Sequence, residues 1–125
     1  TNPPHRTAAT FFFGTGAANV PNTVWGSEGG YYNDVFIDIT DVVDKKLAAL
    51  DALVSQGYGG SYARKRIETV DGAFGGAGGT AYAEGFISAR AQTYEYLPLS
   101  DHTIKKATLS DHETMAITSY RIPVD

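Results

Sequence analysis

The stretch Val35-Phe36-Ile37-Asp38-Ile39-Thr40-Asp41-Val42-Val43-Asp44-Lys45-Lys46-Leu47-Ala48-Ala49-Leu50 decides how this chain is read. Residues 34–39 alternate, with Val35, Ile37 and Ile39 on one face and Phe36 and Asp38 on the other, which predicts a strand. The period then changes. Val43, Leu47, Leu50 and Val54 recur at spacings of four, three and four, which is one face of a helix. Thr40 stands at the N-cap position, and Asp41 and Asp44 fall in the first turn, where the helix dipole favours carboxylates. Gly57 follows the last periodic residue and marks the stop. Lys45, Lys46 and Asp51 lie mostly off the apolar face.

Upstream, residues 7–13 predict a strand closed by Gly14-Thr15-Gly16. Three consecutive phenylalanines, Phe11 to Phe13, imply burial on both faces or at an interface, because a solvated face would show alternation. Residues 17–33, with Pro21, Trp25 and Tyr31-Tyr32, predict a long irregular insert of the kind that is functional or interfacial. Downstream, residues 61–70 predict a second helix with Ala63, Ile67 and Val70 on one face. Eight of the fourteen glycines lie between Gly57 and Gly79, so residues 75–79 read as a loop. Residues 81–93 then alternate Tyr82, Glu84, Phe86, Ser88 and Arg90 with Ala83, Gly85, Ile87 and Ala89, predicting a strand. The tail, residues 97–125, is weakly patterned, with an edge strand expected over 116–122. Strands with two helices make an α/β layer protein.

Composition narrows the function classes. At 125 residues the chain is one domain able to bury a core, with no internal repeat or dividing linker. Its 42% hydrophobic and 19% charged content excludes a disordered chain. A net charge of -4 argues against nucleic acid or an anionic membrane as partner. No apolar run reaches the roughly 18–20 residues of a membrane span, and the first residues lack a signal peptide's apolar segment. With no cysteine there is no disulfide, thiol nucleophile or thiolate metal ligand, which fits a cytoplasmic location.

Individual groups offer little chemistry. His5, His102 and His112 are the only imidazoles, and the pairs Asp101-His102 and Asp111-His112 lack the four-residue helical spacing of a zinc motif, so surface positions are expected. Gly14-Thr15-Gly16-Ala17-Ala18-Asn19 lacks the third glycine of a dinucleotide loop, and Pro21 stands where its helix should begin; it reads as a turn. Thr1 as an N-terminal nucleophile is less plausible than a chain that simply starts there. Asp38, Asp41 and Asp44 are explained by capping, and Arg64-Lys65-Arg66 by a solvated turn. Glu84 and Arg90, set among Tyr82 and Phe86, should either pair or line a pocket.

The opening segment, followed by Ser55-Gln56, resembles the PIG-L/LmbE-like family of zinc-dependent de-N-acetylases acting on N-acetylglucosamine conjugates. That family carries a strand ending in V-D-I-T/S-D, a helix rich in K-x-x-A-L and a closing S-Q. Tyr82-Ala83-Glu84-Gly85-Phe86, with Arg90 after it, resembles the family's Y-A-E-G/A-F element and its downstream basic residue. The likeness spans residues 5–100 of a single unit, 1–125, and leaves 101–125 unmatched. It implies a partial Rossmann-like layered sandwich, the C-terminal half of a deacetylase. The family's metal-binding A-H-P-D-D and H-P-D-H elements do not occur here, so this chain carries no catalytic residue and no metal ligand; zinc is expected on an N-terminal half or complementary subunit. A homo-oligomer and a small glycoconjugate substrate are implied as well. Gln56, Glu84, Arg90, Tyr82 and Phe86 become candidates for the substrate cleft, with Gln56 alternatively a helix C-cap and Tyr82 and Phe86 alternatively core. Asp38 and Thr40 anchor the helix start. The rival expectation is a noncatalytic binding or assembly module in which Phe11 to Phe13, Trp25, Tyr31 and Tyr32 form a partner surface.

Overall fold

The change of period at residue 40 is a change of structure. In the computed structural model, which describes residues 4, 6–13 and 33–119, strand β2 (Val35–Asp38) gives way to a 3-10 turn (Thr40–Val42) and then helix α1 (Val43–Asp51). Strand β1 (Phe11–Phe12) precedes them. Helix α2 (Gly60–Arg66), a π-helical segment (Ile67–Asp71) and helix α3 (Gly72–Gly78) follow, then strand β3 (Ala83–Ser88) and helices α4 (Asp101–Thr108) and α5 (Asp111–Ile117). The three strands form an antiparallel sheet in the order β1-β3-β2. The chain is therefore of mixed α/β composition, and every pairing among the described residues is antiparallel.

Register places Val35 opposite Phe86 and Ile37 opposite Glu84 on one face, and Phe36 opposite Gly85 and Asp38 opposite Ala83 on the other. Ile37 is half exposed, while Phe36 packs its ring 5.8 Å from that of Phe74 on α3. Alternation alone had grouped Val35, Ile37 and Ile39 together; Ile39 is buried because it lies past the end of β2, where the backbone has already turned. The core sits at this end of the sheet. Ile39 after β2, Val43 on α1, Ile67 on the π segment, and Ala81 and Tyr82 ahead of β3 are buried together, with Leu47 and Leu50 packed against them. Val54 is 81% exposed, because α1 stops at Asp51 and residues 54–56 rewind as a 3-10 turn that leaves the apolar face. Gly57, at φ 69°, ends this 3-10 turn and not α1, whose stop it was expected to mark.

Three readings are corrected. Residues 75–78 are helix, not loop, and only Gly79 lies outside it: α2, the π segment and α3 run on continuously from Gly60 to Gly78. Glycine serves close approach here, since a Cβ on Gly75 would lie 2.3 Å from the carbonyl oxygen of Ala81. The helix ends at Gly79, whose φ of 81° allows the Thr80 N–H to reach back to the Gly75 carbonyl at 2.9 Å. Second, the tail is helical. Ser100 and Ser110 cap α4 and α5, Ser110 forms a reciprocal capping box with Glu113, and Ala116 and Ile117 lie inside α5 rather than in a strand. Third, the Phe11–Phe13 run is paired only over two residues and is exposed, so of its two expectations burial on both faces fails and an interface remains, Phe13 being 68% accessible and set edge-on to Phe86 at 6.1 Å. The insert with Trp25, Tyr31 and Tyr32, like His5, Thr1 and the turn at Gly14 to Gly16, lies outside the described residues.

Candidate functional site

The densest polar constellation joins α1, the π segment and β3. Lys46 sits on α1 at the edge of its apolar stripe, and its Nζ reaches Asp71 Oδ2 at 2.6 Å and Glu84 Oε1 at 2.8 Å. Asp71 is 5% exposed. Its position follows from the helix: Ala63, Ile67, Asp71 and Phe74 recur at spacings of four, four and three, so the buried stripe carries a carboxylate where an apolar residue would normally pack. Such a group must find a partner, and Lys46 supplies it. One turn earlier, the Tyr82 hydroxyl donates to Glu68 Oε1.

Electrostatics assign the roles. Burial pushes the Asp71 carboxyl above its ordinary value and the charge of Glu84 adds to the effect, while Lys46 opposes it. Burial acts the other way on Lys46, yet hydrogen bonds and attraction from Asp71 and Glu84 outweigh it and raise the amine. Lys46 is thus a fixed cation, the wrong direction for a nucleophilic amine, which needs a depressed value. The cluster ties α1, the π segment and β3 together.

A second hub lies at the helix start. Asp38 Oδ1 accepts the Thr40 N–H at 2.9 Å, and Oδ2 bonds His102 Nε2 of α4 at 2.9 Å. Burial tends to raise the Asp38 carboxyl, but hydrogen bonds from Thr40, His102 and Thr80 hold it well below the usual carboxylate range. Thr40 lies inside the 3-10 turn rather than before it. Its hydroxyl shares a hydrogen bond with that of Thr80 at 2.9 Å and accepts the Tyr82 N–H at 3.2 Å. Asp38 and Thr40 cross-link the helix start to distant segments, but neither makes a side-chain cap on the 3-10 turn or on α1.

The five cleft candidates are not gathered into one site. Tyr82 is buried in the core. Glu84 answers Lys46 rather than Arg90. Phe86 is half-buried beside Phe13. Gln56 is exposed in the 3-10 turn after α1. Arg90, beyond β3, lines an open groove of about 820 Å³ together with Arg6. Of the basic run, Arg64 is bidentate to Asp51 at 3.1 and 3.3 Å and locks α2 to the end of α1; with the Gly60 N–H it lowers the Asp51 carboxyl. His102 and His112 occupy first turns of helices, and among the described residues no three His, Asp or Glu side chains converge on a metal-sized point. Sequence reasoning missed Lys46, Glu68 and Asp71. The signal for Asp71 was available, since a carboxylate in step with Ala63 and Ile67 calls for a cation. No helix among the described residues is long and apolar enough to cross a membrane. Set against models of known families, against curated proteins and against solved structures, the chain matches none.

Proposed function

We propose that this chain is the carboxy-terminal part of a zinc-dependent amide hydrolase that removes acetyl from an N-acetylglucosamine-type conjugate. One observation carries the reading: the two separated segments on which the family resemblance rests make a single structural unit. Ile37 and Asp38 pair in register with Glu84 and Ala83, Thr40 takes the Tyr82 N–H, and Lys46, which opens the K-x-x-A-L run, binds Glu84 of Y-A-E-G-F. Segments that resemble one family in sequence and also interlock in space support the likeness better than either does alone.

The donor set described above does not fit a zinc site, so no reaction step runs through it. In this reading zinc, carried by the complementary segment or subunit, would activate the water that attacks the acetamide. This chain frames the cleft, with Gln56 and Arg90 as its outward polar groups and Phe86 as a wall. The same segment would supply the parallel strands of a Rossmann-like sandwich, which the antiparallel strands here lack. The exposed Phe11, Phe12 and Phe13 favour one alternative, a noncatalytic assembly module that uses this face to bind a partner. Native mass spectrometry on protein purified from its source without chelators separates the two. A complex holding a second polypeptide and one zinc per copy supports the hydrolase; a metal-free 13.4 kDa species, alone or as a homo-oligomer, rejects it in favour of the module.

A further inference from the structure

At the free end of the β1–β3 pairing, the Thr10 carbonyl accepts the Ala89 N–H at 2.9 Å. Beyond that bond residues 6–9 and 90–93 separate, and the groove of about 820 Å³ opens between them. Arg6 and Arg90 both line it, together with Thr7, Thr10 and Thr93. The chain carries fourteen carboxylate side chains against ten Lys and Arg, yet among the described residues neither Arg6 nor Arg90 has a carboxylate partner. Arg64, by contrast, is bidentate to Asp51. Two cationic residues lining one groove favour an anion there.

We infer that this groove is a binding site for a phosphate-bearing small molecule, with Arg6 and Arg90 as its ligands. The lining is rich in donors: each guanidinium presents five N–H groups in a planar fork, and the threonines add hydroxyls. A carboxylate is satisfied by one fork, whereas a phosphate group offers three terminal oxygens and nearly two charges, matching two. The inference shares Arg90 with the deacetylase reading but needs no zinc and no second chain, so its test can fail or succeed independently of that reading.

The test is an NMR titration of the full 125-residue chain at low salt, following the arginine side-chain Nε–H signals. Inorganic phosphate is the first probe and glucose 6-phosphate the second. Saturable shifts at Arg6 and Arg90, with a midpoint on the order of millimolar for phosphate, are expected for an open two-arginine site. Tighter binding of glucose 6-phosphate would place a sugar phosphate in the groove, and equal binding would assign free phosphate. Arg6→Gln and Arg90→Gln should each weaken binding about tenfold, and the double variant should abolish it. Arg66→Gln, outside the groove, should leave it unchanged. Both groove residues are exposed and far from the core, so unchanged thermal midpoints will show that the variants fold. Absence of saturation, or equal binding by the double variant, overturns the proposal.

Discussion

Replacing Lys46 by Met tests whether the Lys46–Asp71–Glu84 cluster holds the helices to the sheet. The substitution keeps the length of the stem and removes the charge. Two interactions are lost, and they are unequal. Glu84 is 40% exposed in its side chain, so its bond at 2.8 Å is worth about 0–1 kcal/mol. Asp71 is 7% exposed in its side chain and is left beside Glu84 with only the charge of Arg66, which lies beyond ion-pair distance. Breaking a fully buried pair costs about 3–5 kcal/mol; with Lys46 itself 29% exposed, water reaches one side and about 2–3 kcal/mol is expected. Urea denaturation at pH 7 reads this directly. Asp71→Asn in the Lys46→Met background should recover at least about 1.5 kcal/mol, since no charge is then stranded. The folded Asp71 carboxyl is raised above its unfolded value, so its ionisation opposes folding, and removing Lys46 raises it further. The deficit of the variant relative to the parent is therefore present at neutral pH and shrinks as pH falls through the raised folded value, vanishing below about 3, where Asp71 is neutral in both states. A loss below about 1 kcal/mol at pH 7, or a deficit independent of pH, would refute the claim that Asp71 is buried as a charge.

Gly75→Ala should destabilise by about 2 kcal/mol or more despite the higher helix propensity of alanine, because its Cβ meets Ala81 backbone at 2.3 Å and no side chain can yield; thermal unfolding measures it. Ser110→Ala should remove the reciprocal cap and cost α5 about 1 kcal/mol, read as faster hydrogen exchange over residues 111–117 with α1 unaffected. Asp38→Ala should cost about 1 kcal/mol at pH 7, discounted for its partial exposure, and detach α4 by removing the His102 contact. Asp38 is held below its ordinary value when folded, so its contribution is present above the unfolded value of about 4 and fades as pH falls; the variant should approach the parent in acid. Equal differences at pH 7 and pH 3 would contradict that.

Where period and chain termini decide local structure, the sequence was legible. The helix over Val43, Leu47 and Leu50 and the strand through Glu84 and Phe86 rest on spacings that the structure keeps, whereas the helix stops at Asp51 and not beside Gly57. Illegibility came from tertiary neighbours. Gly75 looks like a breaker until the Ala81 backbone is seen to occupy the space a side chain would need. Phe36 and Ile37 are both apolar, so period alone cannot say which of them meets Phe74. The twice-used Ser-Asp-His of the tail drew attention to its histidines, whereas the serines hold the structural information as caps. The site was less legible than the fold, because Lys46, Asp71 and Glu84 come from three elements and only their burial makes them a unit.

The position of the core explains why residues that mark the resemblance are so firmly engaged. A three-stranded sheet whose buried cluster lies at its end, around Ile39, Ala81 and Tyr82, has little apolar packing to fix the angle between β2 and α1. Polar cross-links must fix that corner: Thr40 to Tyr82 and Thr80, Asp38 to His102, and Lys46 to Asp71 and Glu84. Each of these groups has a partner within the chain. Chemistry directed outward must come from groups whose hydrogen-bonding capacity is not consumed by folding. Of the five cleft candidates, Tyr82 and Glu84 are spent on the frame and Phe86 offers only an apolar face. Gln56 and Arg90 alone present unspent polar groups to solvent, and of these only Arg90 shares its groove with a second cation.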